Sequence, residues 1–187
     1  LAGVERTDGE GGIVSGHGLR IGYFAQEHDT IDPDKSVWQN TIDACPDADQ
    51  QELRSLLGAF MFSGEKLEQP AGTLSGGEKT RLALAALVSS RANVLLLDEP
   101  TNNLDIPSVE VLEGALLDFP GAAIVISHDR WFLDRTCTHI LAWEGNVEEG
   151  KWFWFEGNFG DYEANKVERL GEEAAKPSRV THRKLTR

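Results

Sequence analysis

Asn93-Val94-Leu95-Leu96-Leu97-Asp98-Glu99-Pro100 is the stretch on which the fold of this 187-residue chain turns. Its apolar run, with no polar alternation, is of the type found in strands buried on both faces of a sheet. The run stops at two adjacent carboxylates, and strand C-terminal ends are where ligands sit in open α/β sheets. Working downstream, residues 107–119 read as a helix with Pro107 in its first turn and Val109, Leu112, Leu116 and Phe119 on one stripe. Residues 122–127 read as a second buried strand, 129–136 as a helix and 139–143 as a further strand. That β-α-β-α-β alternation predicts an α/β fold, with a parallel core sheet flanked by helices and right-handed crossovers.

Upstream, Leu19 to Phe24 has a buried-strand pattern, and residues 36–44 read as a helix with Ser36 as its N-cap. A second short helix is expected at about 49–57, and Leu74-Ser75-Gly76-Gly77-Glu78 reads as a loop feeding a helix over 80–89. The first 18 residues, rich in Gly and acids, read as loop with a short strand at 12–15. Beyond the alternation, Lys151 to Phe155 is expected as an edge strand and Gly157 to Leu170 as a helix.

A composition of 40% hydrophobic, 26% charged and 8% aromatic residues belongs to a globular chain and argues against wholesale disorder or a coiled coil. The apolar runs 94–97 and 122–126 fall far short of the roughly 20 residues needed to span a bilayer, so no membrane segment is predicted. The chain starts at Leu1 with Glu5, Asp8 and Glu10 close behind, which reads as a cut and not as a signal peptide, and a cytoplasmic location is expected. The net charge of −13 argues against wrapping nucleic acid. Lys176, Arg179, Arg183, Lys184 and Arg187 nevertheless give residues 176–187 a charge of +5, leaving −18 on the body, an asymmetry that suggests a polyanion partner for the tail alone. Cys45 and Cys137 match no metal-ligand spacing and are expected as free thiols.

At the strand end, one of Asp98 and Glu99 can hold a Mg²⁺ ion that bridges nucleotide phosphates, while the other orients or deprotonates an attacking water. A strand simply emerging into solvent would look the same. The strand Ile124-Val125-Ile126-Ser127 ends in His128-Asp129, and an adjacent parallel strand would bring His128 beside those acids. There it could donate to a γ-phosphate, or merely start a helix. Ser75-Gly76-Gly77 offers a hydroxyl and successive N–H groups at a helix N-terminus, an anion site or an ordinary cap. Gln26, after the first strand, could contact a metal-bound water and says little alone. Trp152, Phe153, Trp154 and Phe155 could stack bases, or alternate between the faces of a packed strand.

Taken together, these stretches resemble the nucleotide-binding domain of ATP-binding-cassette proteins. Gln26 in Tyr-Phe-Ala-Gln-Glu-His is similar to the Q-loop, Leu74 to Glu78 to the signature, Val94 to Glu99 to the Walker B strand, Leu104-Asp105 to the D-loop and Ser127-His128-Asp129 to the switch histidine. The five occur in family order over about residues 19–134. The resemblance implies ATP and Mg²⁺ as ligands, with Asp98 holding Mg²⁺ through water, Glu99 as general base and His128 holding the γ-phosphate. Gln26 would sense metal and phosphate. Ser75, Gly76, Gly77 and Glu78 would meet the nucleotide of an opposite domain in a head-to-tail sandwich, with Asp105 coupling the two sites. Residues 1–170 would form a partial domain with a helical subdomain over about 34–90, and 171–187 a basic tail.

Asp98-Glu99-Pro100-Thr101-Asn102-Asn103-Leu104-Asp105, Ile126 to Asp134 and Glu156-Gly157-Asn158-Phe159-Gly160-Asp161-Tyr162 further resemble the ABC-F group, which carries two such domains in one chain and acts on ribosomes without a membrane domain. Residues 126–187 are most similar to an actinobacterial subgroup that regulates translation, and 26–104 to other branches. This implies the ribosome, with its rRNA and tRNA, and the second nucleotide-binding domain of the same chain as partners. One departure is marked: no Gly-x-x-x-x-Gly-Lys-Ser/Thr phosphate loop occurs in these 187 residues. The chain is therefore expected to start just after that loop and to hydrolyse ATP weakly or not at all by itself. The ATPase subunit of a membrane transporter, or a purely structural module, remains the alternative.

Overall fold

The computed structural model describes residues 16–24, 31–145 and 150–171. The readings of a strand at 12–15, of Gln26 and of the basic tail lie outside them. The described elements are β1 (Ile21–Phe24), α1 (Val37–Ala44), α2 (Gln50–Ala59), two 3₁₀ turns (Gly64–Glu68 and Ala71–Thr73), α3 (Gly76–Ser89), β2 (Val94–Asp98), α4 (Ile106–Leu117), β3 (Ala122–Ile126), α5 (Arg130–Thr136), β4 (His139–Glu144), β5 (Lys151–Glu156) and α6 (Phe159–Leu170). The chain divides into two compact units, Leu1–Phe132 and Leu133–Arg187.

In the first unit β1, β2 and β3 form a parallel sheet in that order, with Phe24 opposite Leu97 and Leu97 opposite Val125. Registered residues share a face, so Gly22, Phe24, Leu95, Leu97 and Val125 look one way. Phe24, Leu95 and Leu97 join the buried cluster with Leu57, Phe60, Phe62, Leu82, Leu84, Leu112 and Phe132, and Val125 packs against it. Gly22 is required here: a Cβ would lie 2.6 Å from Leu87 Cδ1, so α3 approaches the backbone of β1 itself. The central strand is buried as its sequence indicates. The reading of β1 and β3 as buried strands is corrected: Ile21, Tyr23 and Ile124 are exposed, and Ile126 is 60% exposed. Among the described residues each is an edge strand with one neighbour, and one face of this sheet is packed on the apolar cluster.

The helices start where local chemistry says they should. Ser36 Oγ accepts from Gln39 N at 3.1 Å, and Asp49 Oδ1 accepts from Gln51 N and Glu52 N at 2.8 and 3.1 Å. Such caps contribute about 1 kcal/mol each. The helix expected over 80–89 begins earlier, at Gly76, because Ser75 caps it.

In the second unit β4 pairs antiparallel with β5, closing at Glu144 opposite Lys151. This corrects the parallel role expected for residues 139–143. The short connection from Glu144 to Lys151 suits an antiparallel hairpin, and β4 pairs with β5 in a sheet separate from β1–β3. One face of the hairpin carries Phe153 and Phe155 against Tyr162 of α6. The other carries Leu141, Trp143, Trp152 and Trp154, the last two 64% exposed, so the aromatic run alternates between faces. Glu144, buried, accepts from Tyr162 Oη at 3.0 Å and from Arg169 Nη1 and Nη2 at 3.1 and 2.8 Å, which ties α6 to the hairpin. Both cysteines are free, as expected. Among the described residues no helix is long and apolar enough to cross a membrane.

Candidate functional site

The acids that end β2 are held in an unusual backbone. Glu99 has φ of +48°, a left-handed conformation that costs a non-glycine residue about 1–3 kcal/mol unless its surroundings impose it. Three bonds impose it here: Glu99 N donates to Ile126 O of β3 at 2.8 Å, its carbonyl accepts from Asn102 N at 3.1 Å, and Oε2 accepts from His128 N at 3.3 Å. The side chain is 17% exposed, and Oε1 is buried without a hydrogen-bond partner among the described residues, 3.6 Å from His128 Nε2. His128 is 99% exposed. Parallel pairing of β2 and β3 therefore brings Glu99 and His128 together, as their strand-end positions predict. A buried carboxylate oxygen with nothing to accept from is a site for a water or hydroxyl proton, since an unmade bond there costs about 1–3 kcal/mol. Asp129 Oδ1 accepts from Phe132 N at 3.1 Å and caps α5, so His128 is the last residue before the cap.

Asp98 lies at the C-terminal end of β2, half-buried. No group of three or more His, Cys, Asp or Glu suited to a metal occurs among the described residues. Asp98 and Glu99 would supply the one or two carboxylates that Mg²⁺ takes beside waters and substrate phosphates.

A second cluster forms where α3 begins. Ser75 and Glu78 make a reciprocal capping box: Ser75 Oγ donates to Glu78 Oε2 at 2.9 Å, Ser75 N donates to the same oxygen at 3.0 Å, and Glu78 N approaches Ser75 Oγ at 3.4 Å. Lys66 Nζ bonds Glu78 Oε1 at 2.9 Å. The lysine, first, and then Ser75 hold the Glu78 carboxyl down at about 2, so it is ionised at neutral pH. The two glycines differ. A Cβ on Gly76 would meet nothing within 4 Å, whereas one on Gly77 would lie 2.8 Å from Asn103 O. The turn at Gly77 is thus seated on the Asn102–Asp105 loop, where Asn103 has φ of +63°.

Asp105 closes this cluster. It caps α4 by accepting from Ser108 N at 3.2 Å and from Ser108 Oγ, and Arg81 Nη1 of α3 stands 3.8 Å away. The Ser108 hydroxyl, more than Arg81, keeps its carboxyl below the ordinary range. Arg81 is 12% exposed, and its buried Nε has no partner among the described residues. The structure therefore assembles one expected grouping, Glu99 with His128, and brings the Gly77 turn against Asn103 and Arg81 of α3 near Asp105, on the loop that follows Glu99. Lys66, Arg81 and Asn103 were not legible as part of these contacts. Lys66 lies twelve residues before its partner and Arg81 beyond the signature, and no periodicity relates either to the acid it meets.

The model of the family described as ABC transporter matches residues 8–102, about half of the chain. The energy-dependent translational throttle protein EttA of Mycobacterium tuberculosis is 55% identical over 192 aligned residues, covering 100% of this chain and 34% of that protein. EttA of Escherichia coli is 42% identical over 191, again covering 100% and 34%. The ATP-binding protein YdiF of Bacillus subtilis, so described with reservation, is 42% identical over 86% of this chain and 24% of its own length. The chain thus spans about a third of the length of the two throttle proteins. Among solved structures, the archaeal ribosome recycling factor aABCE1, in complex with the stalk protein aP1, superposes with a TM-score of 0.66 at 23% identity, over 83% of this chain and 32% of that one. The ATP-binding cassette MJ0796, in a dimeric post-hydrolysis state with ADP and Pi, gives 0.53 at 23% identity, over 72% and 63%. At that identity both attest the fold.

Proposed function

This chain belongs to the ABC transporter family of ATP-binding cassettes, and from that premise we propose that it is a nucleotide-binding domain of a ribosome-associated ABC-F translation factor. In this reading ATP binding closes two such domains of one protein head to tail, and hydrolysis reopens them, so that residence on the ribosome regulates translation. The observation that carries the chemistry is Oε1 of Glu99, buried with no hydrogen-bond partner among the described residues and lying beside His128. The relatives at 55% and 42% identity, named as translational throttle proteins, support the setting.

Glu99 takes a proton from the water that attacks the γ-phosphorus, at its Oε1, as the bond to the β–γ bridging oxygen breaks. Asp98 would hold a Mg²⁺ ion, which would supply positive charge against the phosphates. His128, exposed beside Glu99, donates to a γ-phosphate oxygen. Ser75, Gly76 and Gly77, with Glu78, present the signature turn to the nucleotide of the facing domain, Asp105 couples the two sites, and Gln26 reports the state of the metal. Residues 34–90 act as the helical subdomain of a partial domain ending near 170, and the basic residues of 171–187 meet RNA phosphates.

The test is sedimentation of the full-length protein carrying Glu99→Gln through a sucrose cushion with ribosomes, with and without ATP. The amide keeps the shape and removes the base, so ATP-dependent pelleting is expected. Recovery with membranes, and not with ribosomes, returns the transporter alternative.

A further inference from the structure

Counting protons at the start of α3 leads beyond the assignment of Ser75 as a phosphate ligand. A serine hydroxyl has one proton to donate. Here that proton is committed: Ser75 Oγ donates to Glu78 Oε2, a carboxylate oxygen with no proton to give, at 2.9 Å. What remains on Ser75 Oγ is acceptor capacity, and a phosphate oxygen is also an acceptor. The described geometry is therefore latched, and an anion can claim the hydroxyl only by taking it from Glu78.

The strength of the latch depends on a residue outside the turn. Lys66, on the Gly64–Glu68 3₁₀ turn, donates to the other carboxylate oxygen, Oε1, at 2.9 Å. A cation bonded to one oxygen draws charge from the carboxylate and makes Oε2 a poorer acceptor. It also offsets the negative charge that Glu78 would present to an incoming phosphate. Both effects act in one direction. We propose that Lys66 is a positioning residue that governs release of the Ser75 hydroxyl to phosphate, through its bond to Glu78. The proposal rests on the reading of Ser75–Glu78 as the turn that faces a neighbouring domain's nucleotide. The low value of Glu78's carboxyl, to which the Lys66 bond contributes most, agrees with an ionised acceptor throughout the neutral range.

Lys66 is about half exposed at its side chain, so its replacement leaves the buried cluster intact. In the full-length protein, Lys66→Met is expected to raise KM for ATP about three- to tenfold with kcat within twofold, an effect that shrinks at high salt. Glu78→Gln keeps an acceptor for the cap while removing the charge, so Lys66→Met should raise KM far less in a Glu78→Gln background than in the wild type. In a Ser75→Ala background, where there is no hydroxyl to release, Lys66→Met should add no further rise. An unchanged KM in Lys66→Met, a change confined to kcat, or an equally large rise in the Glu78→Gln background overturns the proposal. A full further rise in the Ser75→Ala background also overturns it, because Lys66 would then act on the phosphate directly. Absence of any ATP turnover by the wild-type protein overturns the nucleotide reading itself and this proposal with it; turnover that ignores Lys66 overturns only the latch.

Discussion

Replacing Gly77 by alanine sets two opposing terms against each other, and the structure decides which prevails. Inside a helix Ala is favoured over Gly by about 0.5–1 kcal/mol. At Gly114, in α4, an added Cβ would meet nothing within 4 Å, so Gly114→Ala collects that gain. At Gly77 the Cβ would lie 2.8 Å from Asn103 O, a backbone atom. The loop cannot simply yield: Leu104 N donates to Thr101 O at 3.2 Å, Asn103 is already left-handed, and Asp105 is fastened to Ser108. Forcing an atom into such a contact costs about 1–3 kcal/mol. Gly77→Ala is therefore expected to destabilise by about 1 kcal/mol, and the two variants to differ by about 2 kcal/mol. The measurement is urea unfolding of the full-length protein with each substitution, comparing the transition that both affect, since both lie in one compact unit. Gly77→Ala should also lower ATP turnover, because it moves the signature turn off the Asn103 loop. A Gly77→Ala protein as stable as Gly114→Ala would refute the seating of α3 on that loop.

Three further outcomes follow from the second unit and the thiols. Arg169 is the first cause that holds the buried Glu144 carboxyl below its ordinary value; a lowered folded value means that the contribution is complete above about pH 4.3, the unfolded value, and fades as pH falls through the folded one. Arg169→Met should thus lower the melting temperature near pH 7 and flatten its acid dependence below pH 4.3 or so, and an unchanged profile would remove the bond's role. Burial first, then the bond to Glu144, lifts the Tyr162 hydroxyl to about 12. A folded value raised above the unfolded value of about 10 gives stability that is complete below pH 10 or so and lost as pH rises toward the folded value, so Tyr162→Phe should shed that alkaline sensitivity in circular-dichroism melts. Burial raises both thiols, Cys45 and Cys137, so a thiol reagent at pH 7 should react slowly with native protein and rapidly after unfolding.

Much of the site was legible because its logic is local. Asp98 and Glu99 follow an apolar run directly, His128 follows another, and Ser75 precedes its helix by one residue; each position is set within a few bonds of the chain. The same holds for the cap at Ser36, whose side chain bonds a backbone N–H three residues on. Alternation of Trp152 and Trp154 with Phe153 and Phe155 is likewise the period of a strand. Family order of the motifs then made the cassette readable before any coordinate was.

Apart from the approach of Glu99 to His128, what the chain alone left open is the pairing between distant segments. Residues 139–143 suit a parallel strand as well as the antiparallel one that β5 makes of them, since an apolar run carries no label for its neighbour. Burial of β1 and β3 depended on how many strands flank them, not on their own hydrophobicity. Lys66 reaches Glu78 across twelve positions, Gly77 meets the carbonyl of Asn103, and Arg169 finds Glu144 across 25. Local torsions and hydrogen bonds decide which element forms, and so are written in adjacent residues. Close approach, burial and charge pairing appear only when packing brings the elements together, and tertiary structure alone decides them.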